Sequence, residues 1–308
     1  MLDSWRSGTK KQYDIYLGKW NLFASRGGVD PIQPPVSKVL DFLTELYDCG
    51  LGYSALNTAR CALSTIITLL DGTMTIGSHP LIQRFIKAAI QTRPAFPRYQ
   101  TTWDTSVVLS FLKEWHPVNT LSLQHLTFKL VMLCALTTGQ WCQSFHFMSL
   151  SSMQKSESSY TFVIDHLVKS SAPGQAQPVL VLPQFPADSR LCVVTTLEEY
   201  LRRTAPLRGN GDRLFISYIS PYKSVSIDTI GRWIKTVMAL AGIDVSKFKG
   251  HRTRMASSSK AKACHVPILS IVKAASWRSA DVFSKFYNKS VAVEWSSFGE
   301  AILRDADD

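Results

Sequence analysis

The sequence predicts a mainly α-helical chain with one small antiparallel β-sheet, an α+β class in two parts. Three observations predict it. Apolar residues recur at helical spacing through residues 1–95 and through most of 96–308. Strand signals are confined to two neighbouring segments, the alternating YTFVID and the apolar run PVLVLP. Between the two parts, TRPAFPRYQTTWD breaks the helical pattern with two prolines and two arginines and reads as a linker. Its charge either tracks a phosphate backbone or belongs to a solvated loop.

The first part reads as a bundle of four short helices. Tyr13, Tyr16, Trp20 and Phe23 share one face of a helix that stops at Gly27-Gly28. After the joint PIQPPVS, Ser37 is the expected N-cap of a helix carrying Val39, Leu40, Phe42, Leu43 and Leu46. Helices are expected from Tyr53 to Leu70 and from Pro80 to Gln91. In the second part, Asp104 or Thr105 caps a helix running to Trp115, and LTFKLVMLCALTTG reads as a buried helix. The two strands follow, joined by the turn-rich LVKSSAPGQAQ. LCVVTTLEEYLRR is amphipathic, with Leu197, Tyr200 and Leu201 inward, and RLFIS is a short buried segment. Ile230, Trp233, Ile234, Val237 and Met238 form a helix face ended by Gly242. Pro267 is placed in the first turn of a helix through PILSIVKAAS, and Ser279 caps a short helix ending near Tyr287.

A chain of 308 residues has room for two cores, and 45% apolar with 19% charged residues is a globular composition. The net charge of +11 points to a polyanionic partner, nucleic acid first. Six cysteines are scattered without a CxxC pair, which fits free, buried thiols in a reducing compartment. Cys134, Cys142 and His146 have no zinc-site spacing and read as core packing. No apolar run is long enough to span a membrane, and MLDSWRSGTKK lacks an apolar signal segment. A nuclear or cytoplasmic location is therefore expected.

The sequence has no GxxxxGK[ST], GxSxG or HExxH, and no GxGxxG after a strand. What remains is a set of residues dispersed over the second part: Lys169 in the loop after a strand, His251 and Arg254 three apart, Trp277, and Tyr287 in KFYNK. The spacing of three puts His251 and Arg254 on one face of a helix. Singly, each also fits a solvated or packed surface position; their order and spacing together are specific.

That set resembles the tyrosine recombinases of the phage-integrase type. TTGQWCQSFHFMSL is similar to the family motif TTGxRxxEL, the Lys169 loop to its catalytic-lysine hairpin, His251-x-x-Arg254 to its HxxR box, Trp277 to its His/Trp position, and Phe286-Tyr287 to its nucleophile. The wording KSSAPGQAQP and HRTRMASSSKAKA is most like recombinases of DIRS-type retroelements, which are mobile elements. The resemblance covers essentially the whole chain. It implies a helical core-binding domain over 1–95 and a recombinase catalytic domain over 96–308. It also implies double-stranded DNA as partner, with neither metal nor small-molecule cofactor. By the same resemblance Tyr287 is the nucleophile that forms a 3′-phosphotyrosine, and His251 handles a proton. Arg254 grips a non-bridging oxygen, Trp277 packs beside the phosphate, and Lys169 protonates the leaving 5′-oxygen. Lys247, Lys249, Arg252, Lys260 and Lys262 would contact the DNA backbone, or else form a solvated basic face. The tail VAVEWSSFGEAILR either docks on a neighbouring protomer of a DNA-bound homo-tetramer or packs within its own chain.

One position departs from the pattern. The family's first arginine falls on Trp141, and no arginine occurs between Arg98 and Arg190 to replace it. Ser144 and Phe145 stand where the acidic partner belongs. Indole offers one donor against five in guanidinium. The expectation is a folded chain competent for DNA but with weak or absent strand cleavage, as in a recombinase relic or a domesticated binding protein.

Overall fold

The computed structural model describes residues 5–68, 75–94, 101–171, 174, 176–277, 279–286 and 290–291. The chain divides into two compact units, Met1–Arg98 and Tyr99–Asp308.

The first unit is built from α1 (Ser7–Gly27), α2 (Val36–Asp48), α3 (Tyr53–Leu63) and α4 (Pro80–Thr92). Apolar side chains from all four meet in one core, including Trp20, Phe42, Leu43, Leu56, Leu63 and Ile82. Trp20 stacks on Phe23, meets Phe42 edge-on, and donates its indole N–H to the Pro31 carbonyl at 2.9 Å. The ring is thus buried with its polar atom satisfied. Two sequence expectations are corrected. Pro35, in extended conformation, is the N-cap of α2 in place of Ser37; its fixed φ suits a helix entry and its carbonyl already accepts from Lys38 at 3.0 Å. The third helix ends at Leu63 rather than Leu70.

The second unit is organised around α6 (Leu123–Thr138), whose residues Leu126 to Ala135 are buried on every side. Against it pack α5 (Thr105–Glu114), α8 (Val193–Thr204), α9 (Ile227–Leu240) and α10 (Thr253–Ala263). Asp104 caps α5 by accepting from the Ser106 N–H at 2.9 Å. The short α7 (Cys142–Phe147) leads into an antiparallel sheet of β2 (Met153–Lys155), β3 (Ser159–Val163) and β4 (Val179–Pro183), in that order. Phe162 lies opposite Leu180 and Tyr160 opposite Leu182, and these four face the core. Val163, Val179 and Val181 face outward. The chain mixes helices with one three-stranded antiparallel sheet, the α+β class. The last helices are α11 (Ile268–Ala274) and α12 (Ala280–Phe286).

Further corrections belong to this unit. The end of the expected linker is structured: β1 (Thr101–Thr102) pairs in parallel with β5 (Ser290–Val291), and Thr102 and Trp103 are buried. β2 carried no sequence signal. Pro267 is the N-cap of α11 and not a first-turn residue. All six cysteines are free, but Cys49 and Cys264 are exposed, so only part of the buried-thiol expectation holds. Among the described residues no helix is long and apolar enough to cross a membrane, and no group of His, Cys, Asp and Glu is placed to hold a metal ion.

Candidate active site

The turn between α6 and α7 is the hub of the site. Gly139 ends α6 in the left-handed region at φ 58°, where a side chain would be strained. A Cβ there would also meet Ser257 and Ala275. Its carbonyl is thereby aimed at α10 and accepts from Arg254 Nη1 at 3.0 Å. Arg254 Nη2 donates to the Ala275 carbonyl at 2.5 Å. Arg254 is only 2% exposed, yet its charge is not left bare. Its guanidinium carbon lies 4.8 Å from the centre of the Trp141 ring and 4.7 Å from that of Trp277. Lys169 Nζ lies 4.8 Å from the same Trp141 ring. Lys169, Arg254, Trp277 and Trp141 therefore form one stack of cations and indoles, with Trp141 common to both cations.

Each member is held by a local device. Lys169 follows β3, and its N–H donates to Gln143 Oε1 at 2.9 Å. Ser276 adopts φ 52°, and the Trp277 N–H closes the end of α11 on the Val272 carbonyl at 3.0 Å. Gln140, 4% exposed, donates from Nε2 to the Ala274 carbonyl at 2.7 Å and to Ser276 Oγ at 2.8 Å. Its Oε1 accepts from the Ser144 hydroxyl at 3.2 Å, so Ser144, at the expected acidic position, tightens this tie. Trp277 in turn stacks on Phe283 of α12, with centroids 5.4 Å apart.

His251 sits in a 3₁₀ turn, Gly250–Arg252, ahead of α10, and not on the helix with Arg254 as the spacing suggested. The Lys169 charge acts on its ring, so the turn brings His251 near that member of the stack. Gly250 lets this turn approach α9: a Cβ there would lie 3.1 Å from the Gly231 carbonyl. Burial, helped by Arg252, Lys249 and Lys169, holds the His251 imidazole below its ordinary value. The neutral ring is therefore favoured near pH 7, as a proton acceptor requires.

The five basic residues expected to contact a DNA backbone have different local neighbours. Lys249 and Arg252 flank His251 and act on its charge. Lys247 lies 3.8 Å from Asp244, its exposed N-terminal neighbour. Lys260 faces Asp104 at the start of α5, and Lys262 is exposed on the last turn of α10. Tyr287 lies outside the described residues, as does the tail from 292 onward. Sequence reasoning passed over Gly139, Gln140 and Gln143. Their signal was present: two amides flank Trp141 at the end of an otherwise apolar helix.

The second unit, with α6 at its centre and the cation–indole stack at the α6–α7 turn, has the fold of the tyrosine recombinase catalytic domain. Over 96% of this chain and 78% of the other, the fold is similar to XerH site-specific recombinase bound to palindromic difH substrate in a post-cleavage complex, with TM-score 0.62 at 14% identity. It is similar to Tn1549 transposon integrase in complex with transposon right-end DNA, with TM-score 0.56 and 12% identity over 88% and 85%. It is also similar to a lambda integrase dimer bound to a COC′ core site, with TM-score 0.54 and 14% identity over 94% and 92%. No family model and no curated protein matches the chain.

Proposed function

We propose that the chain is a DNA-binding protein of the tyrosine recombinase type, nearest in wording to those of DIRS-type retroelements, in which strand cleavage is weak or absent. One observation carries this reading. The Arg254 guanidinium, the strongest phosphate ligand in the set, lies against two indoles with Nη1 and Nη2 on backbone carbonyls, and Trp141 also engages Lys169. Lys249, Arg252 and the wider positive charge of the chain favour contact with a polyanion.

In the underlying reaction the Tyr287 oxygen attacks phosphorus and forms a 3′-phosphotyrosine. The bond from phosphorus to the 5′-oxygen breaks, and that oxygen takes its proton from Lys169. Neutral His251 accepts the tyrosine proton. Arg254 and Trp277 line the phosphate. The bond energy stays in the protein–DNA link, so the exchange requires neither nucleotide hydrolysis nor a metal ion. With indole at position 141, the second guanidinium that would balance the developing charge is missing. Loss of one such donor costs about 10²–10³ in rate. A tetramer on two duplexes, as in the recombination reaction, belongs to the same proposal.

The alternative, a pure binding protein, is favoured by the same satisfied Arg254. Replacing Tyr287 by Phe separates the two. If DNA retention and any cellular phenotype survive the change undiminished, the chain acts by binding; if the phenotype disappears while DNA affinity is kept, covalent chemistry is in use.

A further inference from the structure

Gln143 has no part in the chemistry described so far, yet it touches the loop that supplies the proton. Its Oε1 accepts from the backbone N–H of Lys169 at 2.9 Å. The loop itself is a closed unit. Ser171 N–H donates to the Val168 carbonyl at 2.9 Å, the Val168 N–H donates to Ser171 Oγ at 2.9 Å, and Ser171 Oγ donates to Gln177 Oε1 at 2.7 Å. Val168 is buried beneath it. These bonds close the turn from Val168 to Ser171, so a tie at Lys169 holds that turn.

We infer that Gln143 is a positioning residue that sets where the Lys169 ammonium stands. The chemical meaning of this inference rests on the recombinase reading above; its geometry does not. Trp141 is the N-cap of α7 and Gln143 lies in its first turn, so both ends of Lys169 are referenced to the start of one helix: the N–H by Gln143, the Nζ by the Trp141 ring at 4.8 Å. A lysine stem has four rotatable bonds, and a general acid works only within hydrogen-bond reach of its target. A fixed backbone origin shortens that search. The residue type also matters. A carboxylate at 143 would draw the ammonium to itself, whereas an amide oxygen holds the backbone without adding a competing charge.

The test uses the chain with Trp141→Arg and two suicide DNA substrates, one with the natural 5′-oxygen and one with a bridging 5′-sulfur. Sulfur leaves as a thiolate and needs no proton. Lys169→Met should slow cleavage of the oxygen substrate about 10²-fold and be rescued by sulfur to within about threefold of its parent. Gln143→Met should behave the same way. Gln140→Met, which loosens the Trp277 segment instead, should slow both substrates equally. If sulfur fails to rescue Gln143→Met, its effect is general damage and the inference falls.

A second measurement is independent of cleavage. In the unaltered sequence, lysines are ¹³C-dimethylated, which keeps their charge. The Lys169 signal is assigned by its absence in Lys169→Met and is displaced upfield by the Trp141 ring. Gln143→Met should move it back toward the free-lysine position, and Gln140→Met should not. An unmoved Lys169 signal in Gln143→Met overturns the inference. If that signal moves while the Trp141→Arg chain forms no adduct with either substrate, the positioning role stands and the recombinase reading fails.

Discussion

Trp141 places an aromatic face at the position where the proposed recombinase reading expects a second guanidinium. Two cations lie against it, and a desolvated cation–π contact contributes about 2 kcal/mol. Such a contact offsets part of the cost of keeping Arg254 buried, so Trp141 helps hold that guanidinium in place. The motif alone exposed the departure at 141. It did not show the stack, because the rings and cations come from the α6–α7 turn, the β3–β4 loop, α10 and the turn after α11. His251 supplies a pH signature. Its folded value is depressed while its unfolded value stays near 6.5, so the unfolded chain takes up the proton first as pH falls. Stability should therefore be full above pH about 6.5 and decline below it, and His251→Gln should flatten that decline. Urea midpoints at pH 5.5 and 7.5 for both chains measure it; equal slopes would remove His251 as the cause.

At the scale of elements, α6 carries a cation through the core. Lys129 is fully buried, and its ammonium donates to the carbonyls of Leu112 and Trp115 at 3.0 and 2.5 Å, capping the C-terminal end of α5. Burial pushes it down to about 8. Between that value and the unfolded one near 10.5, the unfolded chain binds more protons, so stability should rise with pH across this window. Lys129→Met should lack the rise. Thermal midpoints from pH 7.5 to 10 test this, and a parallel pH dependence in both chains would contradict it. The long helices were legible because apolar residues recur at their period. The sheet was legible only in part: Phe162 and Leu180 alternate with exposed neighbours, but β2 is three residues long and half-exposed. The β1–β5 pair was hidden because its two-residue strands come from opposite ends of the second unit. The His251 turn eluded the sequence because HxxR spacing is the same in a 3₁₀ turn as on an α-helix.

For the whole molecule, the charge of +11 favours a polyanionic partner, and duplex DNA is the one proposed. The charge was readable at once, but its distribution was not: Lys249 and Arg252 gather at His251, while Lys247 sits by Asp244 and Lys260 by Asp104. Affinity for duplex DNA should fall steeply with salt. Replacing Lys249 and Arg252 together by Gln should lower the slope of log affinity against log salt by about 2, while Lys247→Gln should change it little. Equal effects from all three would mean a diffuse positive surface without focus at the site.

Covalent trapping reads what the ring at position 141 does to strand cleavage. The unaltered chain and Trp141→Arg, at matched DNA occupancy on one suicide substrate, are compared for protein–DNA adduct, with Tyr287→Phe in each as the blank. Arginine should raise the rate of adduct formation by about 10²–10³, and Tyr287→Phe should abolish it. Adduct formed as fast by the unaltered chain as by Trp141→Arg would contradict the account.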